Sequence, residues 1–152
     1  MIDIEYMAWD KLQEKMVKVN RIDFDKKEID VIIEKTDSTE KFYSCSFDEI
    51  ELLEYIGIKD IHQNKVFQGH IVKVKEIVYT NCYREEIDEI REYTGEVVWH
   101  QYGWHIAEKI EHGIRYHSLW LWNIKDDETD PDTHFMEIIG SRWDNPEMKV
   151  IE

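Results

Sequence analysis

Along most of the chain, apolar residues fall singly or in short runs, β-branched and aromatic side chains dominate, and polar residues alternate with them. That is the period-two signature of half-buried strands. Residues 24–33, 42–47 and 66–79 are predicted strands on this ground. In the last of them the apolar phase runs Val72, Val74 and then Ile77, Tyr79. The slip at Lys75-Glu76 predicts a β-bulge.

The clearest stretch is 96–122, where Gln101-Tyr102-Gly103 and Glu111-His112-Gly113 interrupt three apolar segments. Each interruption reads as a three-residue hairpin loop whose last residue is left-handed, a conformation glycine adopts without steric cost. This predicts a meander of strands at 96–100, 104–110 and 114–122. The register places Trp104 opposite His100 and Trp120, and Trp99 opposite His105. One face then carries Val98, His100, Trp104, Ile106, Tyr116, Trp120 and Trp122; the other carries Val97, Trp99, His105, Ala107, His117, Leu119 and Leu121. Because Leu119, Trp120, Leu121 and Trp122 are apolar toward both faces, they are predicted to lie either in a closed barrel or in an interface with another subunit.

Two segments carry helical signals. Ser46-Phe47-Asp48-Glu49 has the form of a capping box before Ile50, Leu52 and Leu53, with Gly57 as a stop, although the same residues also read as extended. Tyr83, Ile87 and Ile90 are spaced for one face of a short helix over 83–92. The expected fold is mainly β, a β-rich α+β fold at most, with an antiparallel meander and one or two short helices. No repeat or low-complexity linker appears, so residues 1–152 are expected to form a single domain, subdivided at most into an N-terminal β region, 1–66, and a barrel-like region, 67–152.

Composition narrows the function classes. The 152 residues include 34 acidic and 19 basic side chains, a formal charge of −15. A main grip on nucleic-acid phosphates or on an anionic membrane needs a surplus of Lys and Arg, so neither is expected. The acid is no detachable tail: residues 1–66 hold 16 acidic and 10 basic groups, and 67–152 hold 18 and 9, with concentrations at 85–96 and 126–132. With 42% hydrophobic residues, two prolines and six glycines, the chain is also no candidate for disorder. Cys45 and Cys82 read as reduced thiols. Met1-Ile2-Asp3-Ile4-Glu5 lacks the basic flank and apolar run of a secretory signal, and no 18 consecutive apolar residues occur, so a cytosolic protein is expected.

Candidate chemistry is thin. His100 and His105 are predicted on opposite faces of their hairpin and cannot chelate one ion; His105 and His117 share a face as diagonal neighbours, about 7 Å apart, with no third ligand. Asp126, Glu128, Asp130, Asp132 and Glu137 match positions of a calcium-loop count, but Pro131 stands where that loop needs glycine. There is no phosphate-binding glycine loop, Gly-x-Ser-x-Gly elbow or His-Glu-x-x-His. Cys82 beside Tyr83 and Arg84 makes no active site by itself. No catalytic, cofactor-binding or metal-binding residue is therefore expected, and no cofactor. What remains is aromatic: Trp99, Trp104, Trp120 and Trp122 gather on the meander, with Trp99 and Trp104 expected in the core and the third strand in an interface, or the sheet as a platform on which single-stranded bases stack.

Three blocks, in order, resemble the YopX-type proteins of phages and prophages. Tyr6-Met7-Ala8-Trp9-Asp10 followed by Met16 resembles the opening "R-A-W-D…M". Tyr55-Ile56-Gly57-Ile58-Lys59-Asp60 through Val66-Phe67-Gln68-Gly69-His70-Ile71-Val72 resembles "Y-T-G-L-x-D-x-x-G-K-x-I-Y-E-G-D-I-V". Glu137-Ile138-Ile139-Gly140-Ser141-Arg142-Trp143-Asp144-Asn145-Pro146-Glu147 resembles the closing "E-V-I-G-N-I-Y-E-N-P-E". Met7 departs from the arginine, Gln68 and His70 replace the acidic residues flanking Gly69, and Gln63 stands at the turn glycine, which argues against positive φ there. The resemblance implies a mostly β protein with a small SH3-like barrel in its second half, encoded by a phage or prophage and acting in the bacterial cytosol; it transfers no catalytic residues.

The function expected is that of a non-enzymatic accessory protein working by protein contact, as a homo-oligomer and with an unidentified protein of the bacterial host. In a sharper form its acidic surface imitates DNA. The alternative is a small-barrel module binding single-stranded nucleic acid through the meander tryptophans.

Overall fold

The computed structural model describes residues 5–35, 39–119 and 134–152. The chain divides into two compact units, Met1–Tyr55 and Ile56–Glu152. The division falls before 66 because Ile56, Ile58 and Val66 are buried in the second core, with Val72, Val97 and Ile106.

In the first unit, β1 (Tyr6–Asp10), β2 (Lys15–Asp23), β3 (Glu28–Lys35), β4 (Glu40–Ser46) and the start of β5 (Ile50–Lys59) form an antiparallel sheet in the order β4-β3-β2-β1-β5. Their inward positions are apolar and small enough to interlock: Ala8, Val17, Ile29, Val31, Cys45 and Ile50 make the core. The turns are built on aspartate instead of glycine. The Asp10 carboxylate accepts the amides of Leu12 and Gln13, and Asp23 does the same for Asp25 and Lys26. Each turn then closes on a left-handed residue, Glu14 or Lys27.

The capping-box segment is extended. Phe47–Glu49 makes one 3-10 turn, the Ser46 side chain makes no cap bond, and Ile50 starts β5, whose residues pair with β1 from Asp10↔Ile50 to Tyr6↔Glu54. Ladder pairing with β1 thus overrides the local cap signal. Gly57 is left-handed inside β5 and ends no helix.

In the second unit, β6 (Lys65–Phe67) lies beside the end of β5, and β7 (His70–Tyr79), β8 (Ile87–His100), β9 (Gly103–Ile110), β10 (Gly113–Ser118) and β11 (His134–Ser141) form a sheet in the order β10-β9-β8-β7-β11. Among the described residues β10 and β11 are its two edges. The predicted helix at 83–92 is not there: residues 87–92 are the first part of β8, paired with β7 as Ile77↔Ile90 and Tyr79↔Ile87. Tyr83, Ile87 and Ile90 are exposed, so their helical spacing serves no core. Nor does β7 bulge at Lys75-Glu76; its register is continuous to Val78, and the irregularity lies between Val78 and Tyr79. The phase slip instead marks where the strand leaves the core after Val74: Ile77 and Tyr79 lie on the opposite face, while Val78 keeps the face of Val72 and Val74.

The meander exists, with its register shifted by one residue. Its loops are the two-residue turns Gln101-Tyr102 and Glu111-His112, so Trp104 faces Trp99 and His105 faces Val98. At the first turn Gln101 (φ 44°) and Tyr102 (φ 68°) are left-handed, and Gly103 belongs to β9. A turn with two left-handed residues matches the twist of the strands it joins.

The three segments that carry the resemblance are structural fastenings. Asp60, 3% exposed, accepts the amides of His62, Asn64 and Ile138, and the turn it caps holds Gln63 at φ 66°, contrary to the expectation from that glutamine. Gly69 (φ 86°) sits where a β-carbon would overlap the Trp143 ring, and its carbonyl accepts the Arg142 amide. Ser141 in turn holds the closing segment: its hydroxyl donates to Asp144 and its carbonyl accepts the Asn145 amide. These bonds join the second and third blocks.

Candidate functional site

The shifted register changes which meander side chains meet. On the core face, Val97 and Ile106 are buried, Trp104 packs on the cluster, and His117 lies flat on Tyr93 with centroids 3.8 Å apart. His117 Nε2 is 3.3 Å from Glu108. Burial, and then the neighbouring carboxylates Glu76 and Glu108, push the Tyr93 phenol above its ordinary value. On the opposite face His100 stacks on Tyr116 at 3.6 Å with the rings nearly parallel, and both meet the His105 ring edge-on. His105 Nδ1 lies 3.0 Å from the Gly103 carbonyl, which makes it the donor nitrogen of that bond.

The histidine expectations are thereby reversed. His100 and His105 share a face, 5.6 Å between centroids, and His105 and His117 do not. A one-residue slip sends every side chain of one strand to the other face, which is all that separates the two arrangements. Among the described residues no group of three or more His, Cys, Asp or Glu side chains is placed to hold a metal ion.

At the turn the same aromatics reach solvent. Trp104 packs on the core as expected, but Trp99 does not: it sits near the end of β8, 57% exposed, and contacts Trp104 edge-on at 5.2 Å; Tyr102, at the turn apex, is 98% exposed. Trp99, His100, Gln101, Tyr102, Trp104, His105 and Tyr116 contribute rings and amides but no formal charge with histidine neutral. Such a surface can stack, pack and accept hydrogen bonds. Tyr102 was hidden in the sequence by its place in a loop, and only the exposed left-handed geometry of the turn singles it out.

The apolar segment proposed as an interface resolves in part. Leu119 is 2% exposed and belongs to the chain's own core, its amide donating to the Trp104 carbonyl. Trp120, Leu121 and Trp122 lie outside the described residues, as do Asp126, Glu128, Asp130 and Asp132 of the calcium count.

The remaining buried polar groups fasten the fold. The Glu96 carboxylate, 1% exposed, accepts the Val150 amide at 2.9 Å and Arg142 Nη1 at 3.3 Å. His70 Nδ1 accepts the Phe67 amide at 3.0 Å, and burial holds its imidazole below the ordinary histidine value against the pull of Asp60 and Asp144. Cys45 is buried, its thiol pushed up by that burial and then by Asp10 and Glu49, whereas Cys82 is exposed. Among the described residues no helix is long and apolar enough to cross a membrane.

These features define a class: a mainly β protein of two antiparallel sheets, in which buried carboxylates secure turns and an aromatic hairpin end faces solvent. The chain belongs to the YopX protein family, whose model matches residues 5–148. The crystal structure of protein EF1440 from Enterococcus faecalis is similar over 97% of this chain and 98% of that one, with a TM-score of 0.52 at 16% identity, a likeness of fold. No curated protein matches the chain.

Proposed function

We propose that the protein works by macromolecular contact and not by catalysis, with the hairpin end around Trp99 and Tyr102 as its contact surface and a protein as its partner. The observation that carries this reading is the exposure of an indole and a phenol at one turn, the Trp99 indole meeting the packed Trp104 edge-on. Large aromatics held in place by a second layer of packing are what protein interfaces draw most energy from. The resemblance to phage and prophage proteins supports a setting in a bacterial host cytosol, where an accessory protein meets host proteins. Imitation of DNA by the acidic surface is the sharper version, supported by the even spread of the −15 charge.

Capture from host lysate with the wild-type protein and with a Trp99→Ala, Tyr102→Ala variant tests the reading. Proteins retained by the first and lost with the second, and then shown to bind as purified partners, are expected. Equal retention by both would overturn it.

Base stacking of single-stranded nucleic acid shares the exposed indole as its support. The absence of Lys and Arg from the seven residues at this end weighs against it, since backbone contacts need positive charge. Quenching of tryptophan fluorescence by an oligonucleotide at low salt, reversed by added salt, would favour it over the protein-contact reading.

A further inference from the structure

Residues 77–79 of β7 and 87–92 of β8 continue as a two-stranded ribbon beyond the core, and 87–92 are exposed throughout. Pairing between β8 and β9 spans only Glu96 to His100, so among the described residues the outer edge of 87–92 has no neighbouring strand. An exposed strand edge is a template for another strand, and a two-stranded ribbon is marginal in water on its own. The side chains point the same way. After Val74, Ile77 and Tyr79 fall on the face opposite Val72 and Val74, so that Ile77 and Ile90 sit opposite one another beside the Tyr79–Ile87 pair, away from the chain's own core. A sequence that moves its apolar residues to a solvent face for one stretch is shaped to have that stretch covered or extended.

The charges identify the occupant. Glu89 and Arg91 lie on the other face of the same strand, 2.9 Å apart. In an antiparallel pair related by a two-fold axis through Ile90, Ile90 faces Ile90 of the second copy, Glu89 faces Arg91, and Arg91 faces Glu89. Moving the axis by one residue in either direction would set Glu89 against Glu89 or Arg91 against Arg91. In the Ile90 register Asp88 meets Glu92 of the second copy; Glu92 has Lys75 as its cross-strand neighbour, and Asp88 is the extra residue at the ladder irregularity. We propose that the protein dimerises through residues 88–92 of β8, paired edge to edge with a second copy about Ile90. The two ribbons then form one four-stranded sheet with Ile77 and Ile90 of both copies in a continuous apolar stripe, an isologous contact that closes on itself. This surface is separate in sequence from the hairpin end at Trp99 and Tyr102 and stands whether or not that end binds a partner.

Light scattering on the full chain over a concentration series tests it with E89R and R91E. The wild type is expected to be a dimer, and each single variant a monomer because both cross-axis pairs become like-charged. Mixed in equal amounts, the two variants are expected to regain dimer mass, since each supplies the charges the other needs. Both substitutions are on exposed side chains and leave the core untouched. In a Cys82→Ser background, Ile90→Cys is expected to cross-link two copies on oxidation. A wild type that is monomeric throughout, a dimer indifferent to both variants, or a mixture that stays monomeric would each overturn the proposal.

Discussion

The phenol of Tyr43 donates a 2.6 Å hydrogen bond to the carboxylate of Asp10, a group only 2% exposed at the mouth of the β1–β2 turn. Burial disfavours the ionised carboxyl, but the Tyr43 hydroxyl with the Gln13 and Leu12 amides outweighs it and holds Asp10 below its ordinary value. The phenol is raised by its own burial and by the same bond. A group depressed in the folded state stabilises above its unfolded value, near 3.9, and loses that contribution as pH falls through the folded one. Asp10→Ala is expected to cost about 3 kcal/mol at neutral pH, because a hydroxyl and two amides lose their acceptor. Tyr43→Phe is expected to cost about 1 kcal/mol, read by urea unfolding. Asp10→Asn is expected to flatten the fall in stability below about pH 4 relative to the wild type.

The Gln101-Tyr102 turn holds two ordinary residues in the left-handed region. That conformation costs about 1 kcal/mol per residue outside Gly and, in part, Asn and Asp. Replacing the pair with Asn-Gly is expected to raise stability by about 1 kcal/mol, seen as a higher midpoint in denaturant with an unchanged slope. Tyr102 is so exposed that no packing is lost with it. If Tyr102 contacts a partner, the same substitution gives a more stable protein that binds less well, a separation that a purely structural tyrosine would not show.

How far the fold could be read from the residues follows from the same turn. Period-two alternation located β4, β7 and most of β3 because it reports burial on one side, but it ran 24–33 across the turn before β3, ran 66–79 across the turn at Gln68-Gly69, and did not find β1, β2 or β11. The order of the meander strands followed from loop spacing. Register did not follow, because a three-residue loop with terminal glycine and a two-residue turn differ by one position, and only φ at Gln101 and Tyr102 separates them. That one position decided which histidines meet. The aspartate turns were illegible because composition does not separate a buried carboxylate from a solvated one: Asp10 and Asp60 are buried acceptors, whereas nothing in the residue pattern sets them apart from the other acidic side chains. The helical spacing of Tyr83, Ile87 and Ile90 was real as a pattern, and β7 pairing overrode it.

His70 gives the fold a second dependence on pH. Its Nδ1 must stay unprotonated to accept the Phe67 amide, and burial lowers its basicity despite Asp60 and Asp144. A base depressed in the folded state leaves stability complete above its unfolded value, near 6.5, and erodes it as pH falls from there toward the folded value. Wild-type unfolding midpoints are therefore expected to drop between pH 7 and pH 5. His70→Asn keeps an acceptor in reach of that amide and cannot titrate, so its midpoints are expected to stay level over this range; parallel curves for the two proteins would rule His70 out as the source.

The closing segment is held to the second core by a buried ion pair. Glu96 accepts Arg142 Nη1 and the Val150 amide, while Arg142 Nη2 donates to the Ile151 carbonyl. Glu96 lies in β8 beside Gly95, whose backbone approaches β9 so closely that a β-carbon there would overlap the Ala107 carbonyl. Removing only the cation leaves an uncompensated buried charge, a loss of about 3 kcal/mol, whereas removing both charges for apolar groups of similar volume costs far less. Arg142→Met is accordingly expected to lower stability more than the double variant Glu96→Leu, Arg142→Met, and to expose the chain after Asn145 to proteolysis. Urea denaturation of both variants with limited proteolysis of the native proteins measures this; a single variant as stable as the double one would mean that the pair does not anchor the segment.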